Sequence, residues 1–342
     1  MSETLRQRDY AISIVRILAT ASIFIAHILQ YYNHLLAWWF NVGVQIFLVM
    51  SGYLYGLRGD REPDDIAFYK RSFPKILLEY YLVVIPVMLV QLISEPGCIS
   101  ADRIYKILFT YKTLDGGQHL WFIPYILICY LLTPAVIRLF RALNEKKPSG
   151  LVLGFLGLLA LNHVLHDTFI KFFDASWINC YIIGLFLGFC TTMDRKKLKS
   201  NLIWIFAFLA ITFNALRIYI IYFSDLHFDG TAGEYFMLFC NMSHALQGTT
   251  LFFGLTALFA PAGRAIQKSE LASRFYNSTD SLCYDIYLVH HFFILGSVNM
   301  MTITNVPFLN VVLVAAATIV LALLVRRVAR LFRPAAPKAA VS

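Results

Sequence analysis

Two residues of the first apolar stretch, Arg16 and His27, are of types that do chemistry and stand where apolar residues are expected. The stretch, Tyr10 to Tyr31, is long enough to cross a bilayer as a helix. The two are eleven residues apart, close to three helical turns, so one face carries both. Asp9, Ser13 and Thr20 extend that face into a polar stripe. At about 1.5 Å per residue, Arg16 and His27 are roughly 16 Å apart along the axis. A charged residue in a spanning helix costs about 2.5–3.5 kcal/mol on insertion scales and turns to the protein interior or a water-filled cavity.

A histidine takes and returns a proton near neutral pH, so His27 can serve as general base on an alcohol that attacks an activated acyl group. It also reads as a histidine hydrogen-bonded between helices, and the residue alone leaves both readings open. The in-phase arginine favours a shared polar cavity. The Arg16 guanidinium presents a fixed fork of donors for phosphate or carboxylate. Its structural reading is an internal ion pair with Glu79 or Asp285.

Further candidates follow along the chain. Phe68–Tyr81 (FYKRSFPKILLEYY) concentrates Lys70, Arg71 and Lys75 at one end of a span, as a lipid-facing anchor or as a landing for a polyanion at a helix N-terminus. His119 and Trp121 open a later span in HLWFIPY, near the outer surface by topology. YDIYLVHH places Tyr284, Tyr287 and His291 on one helical face, with His290 beside it. No Ser/His/Asp triad, Walker loop, GxGxxG or zinc motif is present, so nucleotide hydrolysis and metal hydrolysis have no support. The six cysteines lack metal-ligand spacing and mostly sit in apolar runs as small hydrophobes, so no metal site is expected.

The elements that must position these residues are membrane helices. Of 342 residues 59% are hydrophobic and 14% charged, against about 25% charged in soluble domains, and mean hydropathy is +0.65. We expect an all-α, polytopic membrane bundle of about ten transmembrane helices. They fall near 10–31, 38–57, 73–93, 119–140, 149–166, 176–192, 201–222, 235–259, 282–301 and 308–329. The first run contains Arg16 and lacks a small-residue cleavage site, so it reads as a retained span. One membrane domain, 1–342, is expected, with a short basic tail from about 330. IYKILFTY, in the longest connection, reads as an amphipathic piece on the membrane surface. Gly150/Gly154 and Gly184/Gly188 read as helix-packing pairs.

Lys and Arg set the orientation. One side takes Arg6, Arg8, Arg58, Arg61, Lys70, Arg71, Lys75, Arg138, Arg141, Lys146, Lys147, the Arg195–Lys199 cluster, Arg264, Lys268, Arg274 and the tail from Arg326 through Arg333 to Lys338. The other side takes Arg103, Lys106, Lys112 and Lys171. Both termini are therefore expected in the cytoplasm, with Arg16 toward the cytoplasmic side and His27 in the middle or outer half. The net charge of +9 follows from this topology and from contact with membrane lipids, with no need of nucleic acid.

Read in order, the motifs resemble the acyltransferase-3 family of integral membrane acyltransferases. Arg16…His27 is similar to the family's leading motif. GVQIFLVMSGYLYG (Gly43–Gly56), FYKR (Phe68–Arg71), HLWFIPYIL (His119–Leu127) with YLLTP after it, and CYDIYLVHH (Cys283–His291) follow in family order. Lys75 and Leu78 stand where many relatives carry Arg and Pro. The resemblance implies a multi-pass enzyme of the cell (inner or plasma) membrane. It would move an acyl group, usually acetyl, from cytosolic acyl-CoA as co-substrate to a hydroxyl of a carbohydrate or lipid-linked glycan of the cell envelope, with no permanently bound cofactor. It implies His27 as the catalytic histidine, Arg16 as the residue supporting acyl-CoA use, and Arg71 with Lys75 toward the cofactor moiety. His119, Trp121, Tyr287 and His290 are expected at the acceptor. A transporter of a sugar or glycan is the competing reading, although the paired broken helices and repeat halves common in transporters are not evident. A non-catalytic scaffold leaves Arg16 and His27 without a purpose.

Overall fold

The computed structural model of the chain describes residues 8–59, 64–95, 97, 100–109, 114, 116–146, 148–169, 175–296 and 298–332. Arg6, Arg61, Cys98, Lys112, Lys147, Lys171, Arg333 and Lys338 lie outside the described residues. The described residues are helical throughout, with no strand. In chain order the helices are α1 (Tyr10–Tyr31), α2 (Ala37–Phe40), α3 (Gly43–Gly56), α4 (Asp65–Ser94) and α5 (Ala101–Leu108). A 3-10 turn (Gln118–Trp121) leads into α6 (Phe122–Lys146), then α7 (Pro148–Phe169), α8 (Ala175–Thr192) and α9 (Lys196–Phe223). The chain closes with α10 (Gly230–Leu258), α11 (Ala260–Lys268), α12 (Glu270–Ile294) and α13 (Pro307–Phe332).

Local sequence explains where several helices begin. Asp9 caps α1 by accepting from Ala11 N at 2.9 Å, so it belongs to the helix start and not to the polar stripe. Asp64 caps α4 by accepting from Ala67 N at 3.0 Å, and Ser100 caps α5 by accepting from Arg103 N at 3.2 Å. Ser269 caps α12 in the same way through Ala272 N. The amphipathic piece IYKILFTY is α5 as far as Leu108, with Thr110 and Tyr111 outside the described residues. It packs beneath α4, where Tyr80 Oη donates to Ile107 O at 3.0 Å.

Among the described residues seven helices are long and apolar enough to span a membrane, or eight if α10 and α11, bent by 49°, form one span. That is fewer than the ten spans expected, for two physical reasons. The apolar run of α7 is short, Ser149–Leu165. α12 carries Asp280, Asp285, His290 and His291, which dilute its apolarity, yet all four are buried. Its polarity points into the protein, while its composition resembles that of a surface helix. α12 also runs Glu270–Ile294, starting before and ending before the expected 282–301.

The tightest packing joins α3 to α8. Gly52 and Gly56 on α3 face Gly184 and Gly188 on α8. A Cβ on Gly184 would overlap Val49 O, and one on Gly188 would overlap Tyr53 O. Reciprocally, Cβ atoms on Gly52 and Gly56 would overlap Tyr181 O and Leu185 O. The two backbones therefore touch, as small residues permit in membrane bundles. The other glycine pair lies on the α6 side of α7, where a Cβ on Gly154 would overlap the Leu143 side chain. Five cysteines, Cys129, Cys180, Cys190, Cys240 and Cys283, are buried as free thiols.

Gly184→Val should force α3 and α8 apart and destabilise the protein by about 1–3 kcal/mol or more. Gly157→Val, where a Cβ meets nothing within 4 Å, should leave the unfolding temperature near wild type. Thermal unfolding of both variants in detergent checks this.

Candidate functional site

Each end of the polar stripe on α1 meets α12. Near its start, Arg16 Nη1 lies 2.7 Å from Asp280 Oδ1 and 2.9 Å from Oδ2. Arg8 Nη2 also donates to Asp280 Oδ2, and Ser13 Oγ donates to the same oxygen at 3.2 Å. The Asp280 side chain is wholly buried, so two cations and a hydroxyl replace the water it lost. The ion pair read from the sequence therefore exists, but its acid is Asp280 and not Glu79 or Asp285. Asp285 faces Arg326 on α13, 4.0 Å away, because it lies on another side of α12.

Eleven residues on, His27 enters a cluster of imidazoles. Its ring centroid is 4.8 Å from His291, 5.1 Å from His290 and 6.5 Å from His119. His119 and His291 stack at 4.6 Å. His119, His290 and His291 are buried, whereas His27 is half-buried and forms the accessible member. Asp280 and His291 on α12 repeat the eleven-residue spacing of Arg16 and His27, and the helices run parallel. The two polar faces thus meet twice, three turns apart.

Hydrogen bonds set the ring tautomers. His27 Nδ1 contacts Gln30 Oε1 at 3.0 Å, one turn on along α1. An amide oxygen only accepts, so Nδ1 carries the hydrogen and Nε2 keeps its lone pair, given that side-chain amide orientation. By the same argument His291 Nδ1 donates to Gly116 O at 2.7 Å and His290 Nδ1 donates to Tyr287 O at 2.8 Å. His119 Nε2 donates to Leu288 O at 3.1 Å. His119 Nδ1 and His290 Nε2 remain as buried acceptors with no partner among the described residues. Tyr287 Oη donates to His119 O, which ties the 3-10 turn to α12. Among the described residues no group of three or more His, Cys, Asp or Glu is arranged to hold a metal ion.

Of the residues singled out in the sequence, the fold gathers His27, His119, Tyr287 and His290 at this end and Arg16 at the other. Trp121 stands apart, packed on Trp177 at 4.6 Å and on Tyr125 at 5.3 Å. Arg71 and Lys75 are exposed on α4, where Arg71 Nε donates to its own helix at Ala67 O. Among the described residues no hydrogen bond or ion pair joins either to Arg16 or His27. Asp280 and Gln30 escaped the sequence reading. Gln30 was findable as the polar residue at i+3 from His27. Asp280 was findable as the acid that stands to His291 as Arg16 stands to His27.

A family model described as an acyltransferase domain matches residues 9–327 of the chain. Comparison with curated proteins and with solved structures gave no match.

Removing the buried carboxylate should be costly. Asp280→Ala should destabilise by about 3–5 kcal/mol, since it strands a partly buried arginine. Arg8→Ala, whose side chain is 42% exposed, should cost less than about 1 kcal/mol. Arg16→Ala combined with Asp280→Ala should cost less than the sum of the two single changes, in unfolding measured as a double-mutant cycle.

Proposed function

The chain belongs to the acyltransferase-3 family of membrane acyltransferases, and from that premise we propose its donor, acceptor and catalytic group. The donor is cytosolic acyl-CoA, with acetyl the first acyl group to test. The acceptor is a hydroxyl of a carbohydrate or lipid-linked glycan, and the enzyme works in the cell (inner or plasma) membrane.

The observation that carries this reading is the state of His27. Its Nδ1 is held by Gln30, its ring is accessible, and its Nε2 lone pair is free to take a proton. The acceptor hydroxyl gives its proton to Nε2 as its oxygen attacks the thioester carbonyl. The C–O bond forms, the C–S bond breaks, and the proton returns from Nε2 to the leaving sulfur, releasing CoA. His119 Nδ1 and His290 Nε2, both lone pairs without donors, are suited to accept from neighbouring sugar hydroxyls. Tyr287 holds His119 in place for that task. Arg16, fixed by Asp280, supports acyl-CoA use from the far end of the stripe. Arg71 and Lys75, exposed near the start of α4, are the first cationic side chains that CoA phosphates would meet.

Membranes holding wild type or a variant at matched levels, given acyl-labelled acetyl-CoA and a crude lipid-linked glycan fraction, test the reading. Wild type should label the glycan. His27→Ala should lower transfer by about 10²–10⁴-fold, the usual weight of a general base, at unchanged expression. Arg16→Lys should also lose rate, because a point charge does not replace a planar fork. Equal label with His27→Ala would remove the histidine from the mechanism. Consumption of acetyl-CoA without label in glycan would make the acceptor wrong.

In the variant Gln30→Leu the His27 ring loses the partner that sets its tautomer. Its kcat should fall while the KM for acetyl-CoA stays near wild type, read from initial rates of the same assay.

A further inference from the structure

We propose that Arg217, with Trp38, Trp39 and His244, forms a binding site for one anionic group, a phosphate or carboxylate, on the half of the molecule that carries His27. Arg217 lies in α9 and is wholly buried. Among the described residues no carboxylate pairs with it, and its Nε and Nη2 have no hydrogen-bond partner. Nη1 reaches only Cys240 O on α10, at 3.4 Å. A guanidinium buried in a membrane bundle without a counterion is costly, and an anion bound to its unpartnered Nε and Nη2 removes that cost.

The surroundings are built for such a guest. The guanidinium carbon lies 4.0 Å from the Trp39 ring centroid and 5.0 Å from that of Trp38, so the cation is held against indole. Ring contact of this kind uses the π face of the cation, and Nε with Nη2, the pair that binds carboxylate or phosphate as a fork, keeps its donors unused. His244 packs edge-on to Trp38 at 5.5 Å, and its Nε2 is buried without a partner, as is the hydroxyl of the adjacent Ser243. Trp38 and Trp39, which cover the guanidinium, are half-buried and are the members of the group nearest the surface. The acids of the following connection, Asp225, Asp229 and Glu234, are all exposed.

The position is as informative as the chemistry. α2 follows α1 after a short turn beyond His27 and folds back along it, where Ser22 Oγ donates to Phe40 O at 2.5 Å. Trp39 Nε1 donates to Tyr222 Oη at 3.2 Å, which binds α2 to the end of α9. The anion site and the imidazole cluster therefore share one end of the bundle. As the anchor of an acidic or phosphate-bearing acceptor, this site rests on the acyl-transfer reading. As an anion site it stands without that reading, and binding is measured with no acyl donor present.

The test uses the full chain purified in neutral detergent, read by its intrinsic tryptophan fluorescence and its unfolding temperature. The probes are glucose 1-phosphate and inorganic phosphate, with neutral glucose as control, and dihexanoylphosphatidylglycerol against dihexanoylphosphatidylcholine. Anions should perturb the fluorescence saturably and raise the unfolding temperature, whereas glucose and the zwitterionic lipid should not. Arg217→Gln should weaken anion binding at least tenfold. His244→Asp supplies an internal carboxylate beside Arg217, so it should raise the unfolding temperature and abolish the response to anions. A response to sugar phosphate assigns the site to the acceptor. A response confined to dihexanoylphosphatidylglycerol assigns it to a lipid headgroup, and both support the site. Unchanged anion binding in Arg217→Gln or in His244→Asp, or no response to any anion in wild type, overturns it.

Discussion

The burial of the Asp280 carboxylate is the constraint on which the arrangement depends. A buried carboxylate is tolerable only with cations and donors around it, and Arg8, Arg16 and Ser13 supply them. All three precede or open α1, so one acid on α12 fixes the rotation and the height of α1 beside it. With that register set, three turns of parallel helix carry His27 to His290 and His291 without any further device. The ion pair and the imidazole cluster are thus two ends of one packing arrangement.

α12 is the hub of the polar interior. Its residues reach α1 through Asp280, the backbone of α4 through Tyr284 bonded to Ile76 O, the 3-10 turn through Tyr287, and α13 through Asp285. His291 and Leu288 complete the hold on the loop that carries His119. This explains how the least apolar of the long helices keeps Asp280, Asp285, His290 and His291 buried. Asp280, Tyr284, Tyr287 and Asp285 each reach a different neighbour, so the helix ties four elements together.

Much of this was legible in the chain, and the parts that were not share one cause. Periodicity placed Arg16 and His27 on one face, and the YDIYLVHH run placed Tyr284, Tyr287 and His291 on one face of α12 with His290 beside it. The apolar runs marked the spanning helices because composition averages over many residues. Helix ends and span number were less legible, since α12 hides its polarity inside and α7 has a short apolar run. Pairing across helices was least legible. Glu79, Asp280 and Asp285 are equally acidic in a sequence, and the eleven-residue spacing of Asp280 to His291 singles out the one facing Arg16 only once α1 and α12 are known to pack in parallel. Trp121 belongs to an aromatic pair with Trp177 for the same reason, because adjacency to His119 along the chain says nothing about direction in space.

The glycine seam between α3 and α8 has a kinetic meaning beyond its tightness. Where backbones touch at two glycines on each helix, neither helix can slide or roll without driving a carbonyl into the other. α3 and α8 therefore travel as one rigid body in whatever motion the protein makes. The cycle of admitting and releasing substrates must be assigned to elements outside that pair. A rocking mechanism that splits the bundle along this seam has no hinge there to use.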